Sequence, residues 1–235
     1  MTLERIHLWD LPTRLFHWSL VVLVAAAVIT GKVGGNAIEW HGRIGQAVVG
    51  LLTFRIVWGF AGTASARFLT FLPAPAGLRA YLRGEWRGAG HNPLGALSVL
   101  ALLGVLAVQT VSGLFANDDI AFNGPLYALI DKATSDWASG VHRLSVNLLL
   151  TLVALHVGAV LFYVHARKDN LLRPMLDGWK SVPPDAAADL RRRRRGGGLV
   201  ALLCALSIAA GAVYAASGAW IAPPPPAAAP ATPDW

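Results

Sequence analysis

A single cysteine, Cys204, stands in 235 residues. That excludes a disulfide framework, a cysteine-held zinc or iron–sulfur centre and covalent attachment of a c-type haem. Charge is scarce too, at 14% of the residues against 55% hydrophobic. A soluble domain of this size carries more polar surface, so the composition points to an integral membrane protein. The opening stretch "MTLERIHLWDLPTRLFHW" lacks a short apolar core with a small-residue cleavage site. It reads as no cleaved signal, and the first apolar run stays as a helix. No internal repeat of the 20–50-residue kind is visible. Carboxylates are missing from the middle of the first four apolar runs, where an ion or proton pathway usually wants them. The net charge of +7 would suit nucleic acid, but Lys and Arg gather beside the apolar runs. That is a pattern of membrane orientation, and no nucleic-acid partner is expected.

Four runs reach the roughly 20 residues a spanning helix needs: about Leu15 to Val33, Ile38 to Phe60, Pro93 to Phe115 and Trp137 to Val164. A fifth, Leu199 to Ile221, follows the block Arg191 to Arg195. Trp18, Trp40, Trp58, Trp137 and Trp220 bound the runs as interfacial belts do. With the N-terminus placed in the cytoplasm, the N-tail and the segments 61–92 and 165–198 hold fifteen Lys or Arg. The opposite side holds four: Lys32, Arg43, Lys132 and Arg143. This asymmetry predicts a multi-pass membrane protein with the N-terminus in the cytoplasm and the C-terminus outside. The outer loop is acidic through Asp118, Asp119, Asp131 and Asp136. The basic, proline-broken loop 68–90 is expected along the headgroups, and the tail 222–235 as an extended Pro/Ala segment.

A polar ring in hydrocarbon needs a partner. His142 and His156 stand fourteen residues apart in one run. That is close to four helical turns, so both rings share one face, about 21 Å apart in depth. His41 falls at the outer level of His142, and His17 at the inner level of His156. The four sort into an outer pair, His41/His142, and an inner pair, His17/His156. Two pairs of neutral imidazoles stacked across a bundle suit the axial ligands of two b-type haem irons. The same step of fourteen puts Gly31 at the outer level, where a missing side chain admits a flat macrocycle. It puts Arg55 at the inner level, where a haem propionate would pair with it. Gly95, Gly104 and Gly113 could admit a haem or a neighbouring helix.

Blander readings stand beside these. One membrane histidine is usually hydrogen-bonded to a neighbouring helix; four at matched depths on three helices weigh toward haem. Gly31 alone fits simple packing, and Arg55 could snorkel to the interface. His7, His91 and His165 lie in or beside loops, where surface or interfacial roles are expected. The arginine block reads as a stop-transfer charge.

The segments "WDLPTRLFHW", "WHGRIG", "FRIVWGFAGT", "GHNPLGA", "HRLSVNLLLTLVALH" and "RKDNLLRPM" resemble the bacterial cytochrome b561 and nickel-hydrogenase b-type cytochrome family, over roughly residues 5–180. The resemblance implies a four-helix haem-binding core that passes electrons between quinones and a periplasmic or membrane partner. It implies axial ligands from helices 1, 2 and 4, matching His17, His41, His142 and His156. The fifth helix and the Pro-rich tail depart from the short members of that family.

The expected fold is all-α: an integral membrane four-helix haem-binding bundle plus a fifth C-terminal transmembrane helix. The domains expected are a core at 1–180, a basic linker at 181–198, the added helix at 199–221 and the tail at 222–235. The leading expectation is a dihaem cytochrome b with two haem b groups, an electron-transfer subunit rather than a stand-alone enzyme. It would link the quinone pool to a periplasmic cytochrome c or hydrogenase-type protein, with Arg14, Arg55 and the 61–92 loop as candidates for an inner quinone site. Homo-oligomer formation is left open. One rival is a superoxide:quinone oxidoreductase, with Lys32, Arg43, Lys132 and Arg143 as an outer cationic funnel. The other is a non-redox metal or proton carrier using the histidines.

Overall fold

The computed structural model describes residues 3–72, 75–86, 88, 90–120, 122–192 and 196–222. The tail expected at 222–235 lies, beyond Ala222, outside the described residues, as do positions 193–195 of the arginine block. The chain opens with β1 (Glu4–His7). Helices α1 (Leu11–Val33) and α2 (Ala37–Ala61) make a first hairpin. Short helices α3 (Phe68–Phe71) and α4 (Pro75–Leu82) lead to α5 (Pro93–Phe115), which forms a second hairpin with α6 (Lys132–His165). Then come α7 (Leu172–Asp177), β2 (Trp179–Val182), α8 (Pro184–Arg192) and α9 (Leu199–Ala216). Helices α1, α2, α5, α6 and α9 are long and apolar enough to cross a membrane. The chain is a mostly helical, multi-pass membrane protein.

Side-chain caps decide where three of these helices begin. Asp10 accepts from the Thr13 N–H at 2.8 Å, Asn92 from Gly95 at 2.7 Å, and Asp131 from Thr134 at 2.7 Å. Each satisfies an N–H that the first turn leaves without a partner. The Asp131 cap starts α6 five residues ahead of Trp137, where the apolar run begins. Helix α9 stops at Ala216, short of the expected Ile221, with left-handed Gly218 (φ 68°) two residues on.

Helix α2 is the hub. It packs against α1, α5 and α9, while α5 packs on α6. Val48, Leu52, Leu106 and Leu149 fill the middle of the bundle. Phe16, Phe54, Trp58, Ala66, Ala205 and Ala209 fill its end nearer the N-terminus. The α2–α9 contact uses small residues: a Cβ on Gly50 would stand 2.6 Å from Val213 Cγ2. Close backbone approach of this kind is how helices associate in lipid.

Both ends are tied shut. At the near end, β1 and β2 pair antiparallel from Glu4↔Val182 to His7↔Trp179. The Leu8 N–H donates to Gly178 O at 2.8 Å. Gly178 itself is left-handed (φ 85°), which lets α7 end and turn into β2. Ile6, Leu8, Trp9, Val182, Ala186 and Ala187 bury one another there. This small sheet is an addition to the expected all-helical fold, and β2 runs across residues 180–181, where the core was expected to end. At the far end, Asn117 Nδ2 donates to Ser135 Oγ (2.7 Å) and Asp136 Oδ1 (2.9 Å). Ser139 Oγ donates to Asn117 O at 3.0 Å, so the loop after α5 is stitched to the start of α6.

Candidate functional site

The far end brings His41 and His142 together, with ring centroids 5.8 Å apart and planes at 89°. Each ring is aimed by a neighbouring helix. His41 Nδ1 lies 2.9 Å from Ala27 O on α1, and His142 Nδ1 lies 2.8 Å from Gln109 O on α5. A carbonyl can only accept, so both rings carry the proton on Nδ1 and keep a lone pair on Nε2. Four residues past each carbonyl stands a glycine. A Cβ on Gly31 would meet His41 Nδ1 at 3.0 Å, and one on Gly113 would meet His142 Cε1 at 2.8 Å. The gap at Gly31 is thus filled by an imidazole. The same clip, carbonyl plus glycine one turn on, occurs once in each hairpin.

Gln109 adds a second contact. Its Nε2 lies 3.0 Å from His142 Nε2, so the amide N–H meets the lone pair that a metal would take. Its Oε1 accepts from Ser145 Oγ at 2.5 Å. Two neutral imidazoles held in this way can bind a transition metal from two directions. Among the described residues, no three or more His, Cys, Asp or Glu gather around a common point.

The near end is built differently. His17 and His156 lie within electrostatic reach of each other, but neither has a hydrogen bond among the described residues, and His17 Nδ1 is buried without a partner. Arg55 joins them on the α2 side. It is only 4% exposed, so its guanidinium does not snorkel to the surface. Its Cζ sits 4.5 Å over the Phe68 ring, and its Nη1 is buried without a partner. The nearby carboxylate, Asp10, is already engaged. Oδ1 caps α1, and Oδ2 accepts from Trp58 Nε1 (3.0 Å) and Thr63 Oγ1 (2.5 Å).

His91 departs from the surface or interfacial role its loop position suggests. Its ring is wedged between Trp9 (centroids 4.7 Å) and Phe71 (4.6 Å), and its Nδ1 is buried without a partner. Burial above all, then the Arg55 charge and the fields of His156 and His17, push its pKa down to about 3. It is a neutral ring at the inner cluster. Nothing in sequence spacing pointed to it, because Trp9 comes from the β1–α1 connection and Phe71 lies twenty residues before His91 in the segment between α2 and α5. Gln109 was equally hidden, although its step of four to Gly113 repeats that from Ala27 to Gly31.

Of the four cations expected to form an outer funnel, Lys132 is tied to Asp119 (2.6 Å) and Asp136 (2.9 Å). Arg43 lies 5.2 Å over the Trp40 ring and 3.9 Å from Glu39. Loop 68–90 is fastened to the end of the bundle. Tyr81 and Tyr163 bond through their hydroxyls, and Asn92 Nδ2 donates to Tyr163 OH at 2.8 Å.

No curated protein and no solved structure matches the chain. A family model does: prokaryotic cytochrome b561, over residues 8–178.

Proposed function

The chain belongs to the prokaryotic cytochrome b561 family, a family of membrane b-type cytochromes in electron transfer, and from that premise we propose that it is a dihaem electron carrier of the bacterial inner membrane. It exchanges electrons with the quinone pool at the near, cytoplasmic end and with a periplasmic redox protein, a cytochrome c or hydrogenase-like partner, at the far end. The observation that carries this reading is the twin clip on His41 and His142. Hydrogen bonds from Nδ1 to backbone carbonyls are what fix the tautomer and raise the basicity of metal-bound histidines.

The residues present fit the group. His41 and His142 would hold one haem b from two helices, each through Nε2, and the Gln109 amide, which meets His142 Nε2 at 3.0 Å, would give way to the iron. His17 and His156 would hold the second, and Arg55 supplies a buried positive charge with an unmet donor for a propionate. Haem b held by two histidines supplies a one-electron couple and no open coordination position for bond chemistry. The protein's own part is to aim the four imidazoles, keep water out of the bundle and balance charge at each end. Lipid covers the outside of the bundle, and a quinone would reach the near end from the bilayer.

The acidic rim at the far end, with Lys132 neutralised by two aspartates, favours a basic protein partner over superoxide. A reduced-minus-oxidised visible spectrum of the purified protein, with its haem-to-chain ratio, tests the proposal. The expected result is two b haems per chain, falling toward one in His142→Ala or His156→Ala, with both reduced on adding a quinol. A chain that purifies without haem would return the four histidines to a metal or proton carrier.

A further inference from the structure

The near end of the bundle collects unmet polar atoms. Among the described residues the buried side-chain nitrogens and oxygens without a partner include Thr13 Oγ1, His17 Nδ1, Arg55 Nη1 and His91 Nδ1, all at this end. The far pair has no such deficit. Unmet buried groups are costly, more so when charged, so their clustering marks a place where a ligand supplies what the chain does not.

The type of ligand follows from what is unmet. Arg55 Nη1 is a donor and can only be satisfied by an acceptor. Neutral His91 donates from Nδ1 in one of its two tautomers. Arg55 sits over Phe68, Phe68 packs against Phe71 (5.8 Å) and Phe71 against His91 (4.6 Å). Arg55 and His91 are thus joined through two packed phenyl rings and lie within electrostatic reach of each other. The chain's own carboxylate there, Asp10, has both oxygens committed to Thr13, Trp58 and Thr63. Asp10 accepts from none of the unmet donors, and an acceptor-only anion from outside the chain would satisfy them.

We infer that Arg55 and His91 together form a carboxylate site, and that the carboxylate is a propionate of the near-end haem. This rests on the haem reading above and adds His91 to it as a positioning residue. His91 donates a neutral hydrogen bond beside the charge of Arg55, and the Trp9 and Phe71 rings keep it from turning away. The carboxyl group keeps its negative charge on being held, and no bond is made or broken.

His91→Phe keeps a ring between Trp9 and Phe71 and removes the donor. His91→Asn removes the ring and keeps a neutral donor. Redox titration and resonance Raman spectra of both holoproteins are compared with the parent. The expected result is a shift of one haem wave and of the propionate bending band in His91→Phe, with the other wave unmoved. His91→Asn is expected to lie closer to the parent. Unchanged waves and bands in His91→Phe, or equal shifts in the two variants, would overturn the inference. So would unmoved propionate bands with altered quinol reduction, which assigns His91 to a quinone instead. If His91→Phe does not accumulate, His91→Leu takes its place as the variant without a donor, and displaced bands support the inference while parent-like bands overturn it. Parent protein without haem sinks the cytochrome reading, a failure separate from this one.

Discussion

At Gly31 and Gly113 one methyl group decides whether an imidazole reaches its carbonyl. A Cβ would stand 3.0 Å from His41 Nδ1 or 2.8 Å from His142 Cε1, and a helix backbone cannot give way as a flexible side chain does. Gly31→Ala and Gly113→Ala are each expected to lower the haem-to-chain ratio from two toward one. Gly104→Ala, where an added Cβ meets nothing within 4 Å, is expected to leave it alone. Quantitative haem extraction of the three variants checks this; equal ratios would mean the clips hold no ligand. The clips also set an order of potentials. Both far-end rings donate Nδ1–H to a carbonyl, which raises ligand basicity and favours the oxidised metal. The near-end rings have no such bond, and a buried arginine stands beside them, which favours the reduced one. The far-end wave is therefore expected to have the lower midpoint, assigned by comparing His142→Ala with His156→Ala in a redox titration. At this scale the sequence yielded the depth pairing, since fourteen residues is close to a whole number of turns. It did not yield the clips. Which atom the other ring nitrogen meets depends on rotamer and on the distance between helices, neither of which has a periodic signature.

The helices were readable because each apolar run is long and bounded by charge, proline or glycine. Their ends were less so: a cap such as Asp131 recruits polar residues that no hydropathy argument includes. The Asp131 carboxyl is held below its ordinary value, chiefly by the backbone N–H of Thr134. Its contribution is complete above the unfolded carboxyl pKa, about 3.9, and is lost as pH falls through the lower folded value. Asp131→Ala is expected to speed amide exchange in the first turn of α6 at neutral pH. The gap between its melting midpoint and the parent's should narrow as the buffer drops below about pH 4. A gap independent of pH would mean that the charge of the cap is irrelevant. The β1–β2 pair was not readable at all. Each strand has four residues, too few for an alternation to stand out, and its partner lies at the other end of the family-like segment.

For the molecule as a whole, α9 is the part that sequence left without a role, and it packs on the hub helix α2. His41 and Arg55 lie elsewhere on α2, facing α6 and α3. Ending the chain after Gly198 is therefore expected to leave the haem-to-chain ratio near two. The same truncation should lower the melting midpoint by several degrees, at about 2–4 °C per kcal/mol for a chain of this length. Loss of haem on truncation would instead make α9 part of the site. The twin clips have a consequence for how such a bundle is made. His41 is set by α1, its own hairpin partner, and His142 by α5, its own hairpin partner. Neither ring waits for the other half of the protein to be aimed. As the chain leaves the ribosome, the first hairpin can enter the bilayer with its imidazole already oriented, and the second can do the same later. Biogenesis is then a matter of two finished halves closing on each other, and fragments split within 83–90 and made together should still find the same partner.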